Sequence, residues 1–116
     1  MRYFEYSEFD SPDDPGSGRK EKAVFLHKLE HARELAKTPF KIISGYRTVE
    51  HNTSIGGSPT SSHLIGFAAD IVCDNSEARE KILSSLIWAG FQRIGIAKDF
   101  IHVDCDPRKK NYIWLY

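Results

Sequence analysis

The sequence predicts an α+β fold: a small, mostly antiparallel sheet with helices packed on it. Two observations carry this. Apolar residues recur at helical spacing in two separate stretches, and short apolar runs bounded by turn formers read as strands. The last three of these runs are joined by short turns, which favours antiparallel or mixed pairing over a doubly wound sheet. The length of 116 residues fits one domain with one core, taken as residues 1–116.

Residues 1–19 read mostly as loop, because Ser11-Pro12-Asp13-Asp14-Pro15-Gly16-Ser17-Gly18 is dense in turn formers. Its acidic residues fit no calcium-loop spacing, so solvated turn is the reading. Residues 20–36 read as an amphipathic helix with Val24, Phe25, Leu29, Ala32 and Ala36 inward. His27 and His31 are four apart there, a spacing that can chelate metal. Glu30 is misplaced for His-Glu-x-x-His, so a solvated face is expected. Pro39 breaks that helix. Residues 40–46 read as a strand, 47–52 as a short helical turn, 53–62 as loop and 67–73 as a buried strand. Asp74 is a candidate N-cap, with Glu77 behind it, for a helix running to about Ala89 and stopped by Gly90. Its inward face would carry Ala78, Ile82, Leu83, Leu86 and Ile87. Strands are expected at 93–97, 100–105 and 112–116. Trp88 and Trp114 are expected to be core or rim aromatics rather than a sugar platform.

Sixteen Lys and Arg balance sixteen Asp and Glu. That balance provides no basic face for nucleic acid and no polybasic membrane anchor. No apolar run reaches the roughly 18 residues of a membrane span, and the N-terminus has no signal-peptide core. The expected place of synthesis is therefore the cytoplasm, and a substrate outside the membrane would need another delivery route. Cys73 and Cys105 each close a strand. Two reduced, packed thiols are expected, and a bridge would require neighbouring strand ends.

Two polar interruptions carry the chemistry. Asp70 lies within Phe67-Ala68-Ala69-Asp70-Ile71-Val72, and His102 within Phe100-Ile101-His102-Val103. A buried carboxylate is costly without a cation, a metal or several hydrogen bonds. If the strands are neighbours, one metal would satisfy both residues; a buried His–Asp pair would do so without metal. With His63, they make a sufficient ligand set for a catalytic zinc with an open position. Asp99, three residues before His102, is a candidate base toward the attacking water. Asp104 is its rival: two residues after His102, it shares a strand face and could instead orient a ligand.

Ser-x-His-x-x-Gly-x-Ala-x-Asp at 61–70, followed by Ile-His-Val-Asp at 101–104, resembles the zinc D-alanyl-D-alanine peptidases of the M15 group. That group includes D,D-carboxypeptidases, the dipeptidases of vancomycin resistance and phage L-alanyl-D-glutamate endopeptidases. Ser44-Gly45-Tyr46-Arg47-Thr48, with His51-Asn52 and Gly56-Gly57, is similar to the upstream family segment, and Ser7-Glu8-Phe9-Asp10 to the opening of the compact bacterial and phage members.

The resemblance implies the hedgehog/D,D-peptidase fold and zinc held by His63, Asp70 and His102. It puts Asp99 at the position of the catalytic acid in part of the family, where many relatives carry Glu. Arg47 matches the arginine near the substrate. A guanidinium suits the carboxylates of a peptide stem, although an Arg opening a helical turn is also often exposed. Ser61 contacts ligand or caps its loop. His51 falls at the cleft rim or on the surface. The implied activity is hydrolysis of a peptide bond in peptidoglycan stem peptides by a monomer, as carboxypeptidase or endopeptidase. The alternative is a non-catalytic zinc- or wall-binding module on the same fold. The small size and missing leader lean toward a phage or prophage lysis or virion protein.

Overall fold

The computed structural model describes residues 1–116. Strands β1 (Ile42–Ser44), β2 (Ala68–Val72), β3 (Arg93–Ile96), β4 (Phe100–Asp104) and β5 (Ile113–Leu115) form one sheet in the order β1-β2-β4-β3-β5. The pairings β1–β2, β2–β4 and β3–β4 are antiparallel; β5 runs parallel to β3. Helices α1 (Ala23–Ala36) and α3 (Ser76–Trp88) pack against each other, and α2 (Val49–Ser54) is a short connector.

Alternation along the two central strands divides the sheet into two faces. Ala69, Ile71, Ile101 and Val103 point to one side, where they join Ile94 with Phe25 and Leu29 of α1 and Ile82 and Leu86 of α3 in a single core. The opposite side carries Asp70, His102 and Asp104. Truncating any of the fully buried large side chains in this core costs about 2–5 kcal/mol.

Several expected elements shift, each for a local reason. Helix α1 begins at Ala23, not residue 20, because Ser17–Lys20 closes as a 3-10 turn. Leu26 is buried and Val24 is exposed, so the inward face turns by one position. Asn75, not Asp74, caps α3: its side-chain oxygen accepts from the Ala78 N–H at 2.8 Å. Ile87 and Trp88 lie on the outer side of α3, and Trp88 is 81% exposed, neither core nor cleft rim. Strand β1 is three residues long, because Tyr46 leaves the sheet to donate its N–H to the Phe9 carbonyl. That crossing needs Gly45, since a Cβ there would lie 2.6 Å from the Phe9 Cα.

The N-terminal loop is ordered around its own side chains. The Asp10 carboxylate accepts from the Gly16 and Gly18 N–H groups, and Asp13 accepts from the Ser11 and Thr48 hydroxyls. Phe4 and Phe9 from this loop enter the core. His27 and His31 are exposed on α1. No helix is long and apolar enough to cross a membrane.

Both cysteines are free. Cys73 follows β2 beside Asp99, whereas Cys105 follows β4 beside Phe67, so they sit at opposite ends of the β2–β4 pair. A five-residue strand separates them by about 17 Å, against about 5–6 Å between Cα atoms in a disulfide. Burial pushes the Cys105 thiol up to about 11, so it stays protonated and unreactive.

Glu21 is buried at 5% exposure, and neither carboxyl oxygen has a partner. Burial pushes its carboxyl up from 4.5 to about 9. Below pH 4.5 both folded and unfolded chains hold this proton, so ionisation costs the fold nothing. Between there and pH 9 only the unfolded chain releases it, and stability falls as pH rises. At pH 7 the cost is about 3 kcal/mol. Replacing Glu21→Met removes both orphaned oxygens while keeping the side-chain length. Urea unfolding at pH 5, 7 and 8.5 should show Glu21→Met more stable than wild type, by a margin that widens with pH. A constant or negative margin would contradict this account.

Candidate metal centre

The site grows out of the β2–β4 register. Asp70 pairs directly with His102 across the two strands, and both side chains leave the face away from the helices. Directly opposed residues of an antiparallel pair hold their Cβ atoms about 5 Å apart. His63 arrives from the side on a 3-10 turn, Ser62–Ile65. The Ser61 hydroxyl oxygen caps this turn by accepting from the His63 N–H at 3.2 Å. Gly66 ends the turn at φ 76°, where a Cβ would lie 2.3 Å from the Lys20 carbonyl oxygen.

Asp70 Oδ1 then sits 2.9 Å from His102 Nδ1 and 3.3 Å from His63 Nε2. The three candidate ligand atoms all lie within 4.8 Å of one another. Both imidazoles are buried, and the Asp70 side chain is 13% exposed.

Ring tautomers decide whether a metal fits. His63 Nδ1 lies 2.7 Å from the Gly45 carbonyl oxygen, which only accepts, so Nδ1 carries the hydrogen. Burial holds the His63 ring toward neutrality. Its Nε2 therefore presents a bare lone pair to a carboxylate oxygen, two acceptors face to face. A cation between them turns that repulsion into coordination. His102 Nε2 lies 2.7 Å from Asp104 Oδ2, which fixes its hydrogen there and leaves Nδ1 for the metal. Burial disfavours the charged His102 ring, but the hydrogen bonds to Asp104 and Asp70 outweigh it and raise its proton affinity. Burial likewise opposes ionisation of Asp70, and the hydrogen bond from His102, with the charge that ring carries, holds it well below the usual carboxylate range. These residues fit a metal that displaces one proton, the one on His102 Nδ1.

A ring of partners fixes the ligands. Asp104 is 1% exposed, and its Oδ1 accepts from Arg93 Nε at 2.7 Å and from the Asp106 N–H at 3.1 Å. Arg93 also donates to the Lys110 carbonyl. Asp106 takes the Ser62 hydroxyl at 2.7 Å and two bonds from the Arg108 guanidinium, tying the His63 turn to the chain after β4. Trp114 lies over Gly95, where a Cβ would come within 2.7 Å of its ring, and packs tilted against the His102 ring with centroids 5.5 Å apart.

The expected site residues divide. His63, Asp70, His102, Arg47 and Ser61 all line one cavity of about 340 Å³. Arg47 turns its guanidinium inward, to the Ser44 hydroxyl, the Asn52 side-chain carbonyl and, at 3.4 Å, Asp70 Oδ2. Three of its five N–H groups are thereby engaged, so Arg47 steadies Asp70 while it lines the cavity. Asp99 is not brought to the site. It is exposed in the bend between β3 and β4 and does not line the cavity. Asp104 is the second carboxylate that reaches the triad, and both its oxygens are engaged there. Arg93, Lys109 and Tyr116 line the cavity without having been picked out from the sequence. A second cavity of about 280 Å³ shares Arg47, Asp70 and Phe100 with the first and is lined by Ile43, Ile55 and His51.

Chelator competition on the purified protein should show the weight of this ring. Asp104→Asn is expected to weaken metal binding by roughly 10–100-fold. His63→Ala should abolish stoichiometric binding, and Asp99→Asn should leave it unchanged. An Asp104→Asn protein with wild-type affinity would remove Asp104 from the account.

A family model described as Peptidase M15 matches residues 3–104. No curated protein matches the chain. The match takes in the His63 turn and both strands that carry the rest of the triad, and the mixed, mostly antiparallel sheet with packed helices is the hedgehog/D,D-peptidase arrangement the family implies. On that extent of match, the chain belongs to the Peptidase M15 family.

Proposed function

We propose that the protein is a zinc-dependent hydrolase of a peptide bond in peptidoglycan stem peptides, acting as carboxypeptidase or endopeptidase. The observation that carries this reading is the buried His63–Asp70–His102 cluster, with both outer imidazole nitrogens already committed as donors. Two imidazoles and one carboxylate leave a zinc with an open position, and they suit zinc better than magnesium or calcium, which prefer all-oxygen sets. When bound, zinc would supply Lewis acidity toward the scissile carbonyl and the attacking water.

The chain's own residues do the positioning. Asp104 and the Gly45 carbonyl hold the two rings in the tautomers that ligation needs, and Arg47 steadies the second oxygen of Asp70. The paired cavities on either side of Asp70 suit an extended peptide crossing the triad, with polar contacts on the Ser61 side and apolar ones at Ile43 and Ile55. Such an enzyme would work as a monomer on the wall after export, lysis or delivery with a virion.

One observation favours a second reading, a non-catalytic zinc- or wall-binding module. Asp70 and Asp104 are the carboxylates lining the cavity, and every oxygen of both is engaged, while Asp99 stands apart. The lining thus offers no free carboxylate for proton transfer.

The experiment is digestion of purified murein with metal-analysed protein, the products identified by mass spectrometry. Zinc-loaded wild type should release stem fragments, and His63→Ala and Asp70→Ala should not. Asp99→Asn should retain turnover; a loss on the order of 100-fold would bring Asp99 into the chemistry. Bound zinc with no fragments released would select the binding module.

A further inference from the structure

We propose that Lys109 is the residue that reads a carboxylate of the bound peptide, the part the sequence suggests for Arg47; this rests on the peptide-binding reading above. The charges around the cavity form matched pairs. Arg47 pairs with Asp70 at 3.4 Å, Arg93 with Asp104 at 2.7 Å, and Arg108 with Asp106 at 2.9 Å. Lys109 lines the same cavity, and the one carboxylate it pairs with is shared with Arg108. That carboxylate is Asp106 at 3.8 Å, which already accepts two bonds from Arg108 and one from Ser62.

The ammonium is held in place by a neutral contact. Lys109 Nζ donates to the Ser62 hydroxyl oxygen at 3.0 Å, and Ser62 passes its own hydrogen to Asp106. Ser62 precedes His63, so the charge is anchored to the same turn as a triad imidazole. The side chain remains 31% exposed, and an ammonium has three donors, so donors are left for a ligand.

Arg47 is the poorer reader. Three of its five N–H groups already bond protein oxygens, and its side chain is 13% exposed against 31% for Lys109. A divalent metal at the triad would leave the cavity with net positive charge, since the pairs cancel and Lys109 adds one more. A ligand bearing carboxylate is the chemistry that balances it. The carboxylate has two sources in a stem peptide, the chain terminus or a free carboxylate within the stem.

The test uses zinc-loaded full chain and three versions of one stem peptide: unmodified, amidated at the terminus, or amidated at the internal carboxylate. Cleavage and equilibrium binding are both measured, for wild type, Lys109→Met and Lys109→Arg. Wild type should prefer the unmodified peptide over one amidated form by about tenfold or more, as a charge-assisted bond would give. The amide that is disfavoured identifies the source. In Lys109→Met that preference should fall to near one, and in Lys109→Arg most of it should return. If Lys109→Met loses all three peptides equally, Lys109 is structural and the proposal is overturned. If wild type ignores both amidations, it is also overturned. Selective binding that depends on Lys109, without any cleavage, would uphold Lys109 and instead overturn the hydrolase reading.

Discussion

The structure turns on one carboxylate placed between two imidazoles. Asp70 sits in the middle of a central strand, and the core behind it is built from its own neighbours, Ala69 and Ile71. Alternation puts those neighbours on the helix side and Asp70 on the other. The antiparallel register then puts His102 directly across from it. A slip of one residue would carry either side chain into the hydrophobic core, so core burial and site assembly specify the same register. The sheet therefore cannot pack in register without also bringing Asp70 and His102 together.

Around that centre, charge is managed pair by pair. Three carboxylates, Asp70, Asp104 and Asp106, each have an arginine, and each arginine comes from a different segment. Breaking a buried pair such as Arg93–Asp104 by removing one partner costs about 3–5 kcal/mol, because the other charge is left without compensation. The network thus joins β1, β3, β4 and the chain after β4 to the candidate metal ligands. Within the cavity the Arg47–Asp70 and Arg93–Asp104 pairs cancel, so a bound divalent cation would add its charge to that of Lys109. Lys109, which shares Asp106 with Arg108, is the cation left in surplus at the cavity.

Much of this is legible in the sequence, for identifiable reasons. Asp70 and His102 stand out because each interrupts an apolar strand, and a polar group there must be compensated. His63 is legible through its motif alone; a histidine ending a Ser- and Gly-rich loop says little by itself. Asp99 and Asp104 differ in what fixes their place. Asp99 precedes β4 in a bend, where the alternation that makes a strand's faces legible does not apply. Asp104, at an even offset, lands beside His102. The same parity could have found Arg93, which alternates with Gly95 and so faces the site beside Asp104. Lys109 and Trp114 are beyond reach, because their positions depend on how the chain folds back after β4.

The central claim is that His63, Asp70 and His102 hold one metal, with ring tautomers dictated by Gly45 and Asp104. The most direct measurement is a crystal structure of the zinc-loaded protein, with the metal located by anomalous scattering. The account predicts one zinc per chain, bound by His63 Nε2, a carboxylate oxygen of Asp70 and His102 Nδ1, with the Asp104–His102 Nε2 contact retained. Zinc on His102 Nε2, or zinc held at His27 and His31 with the triad unchanged, would contradict it.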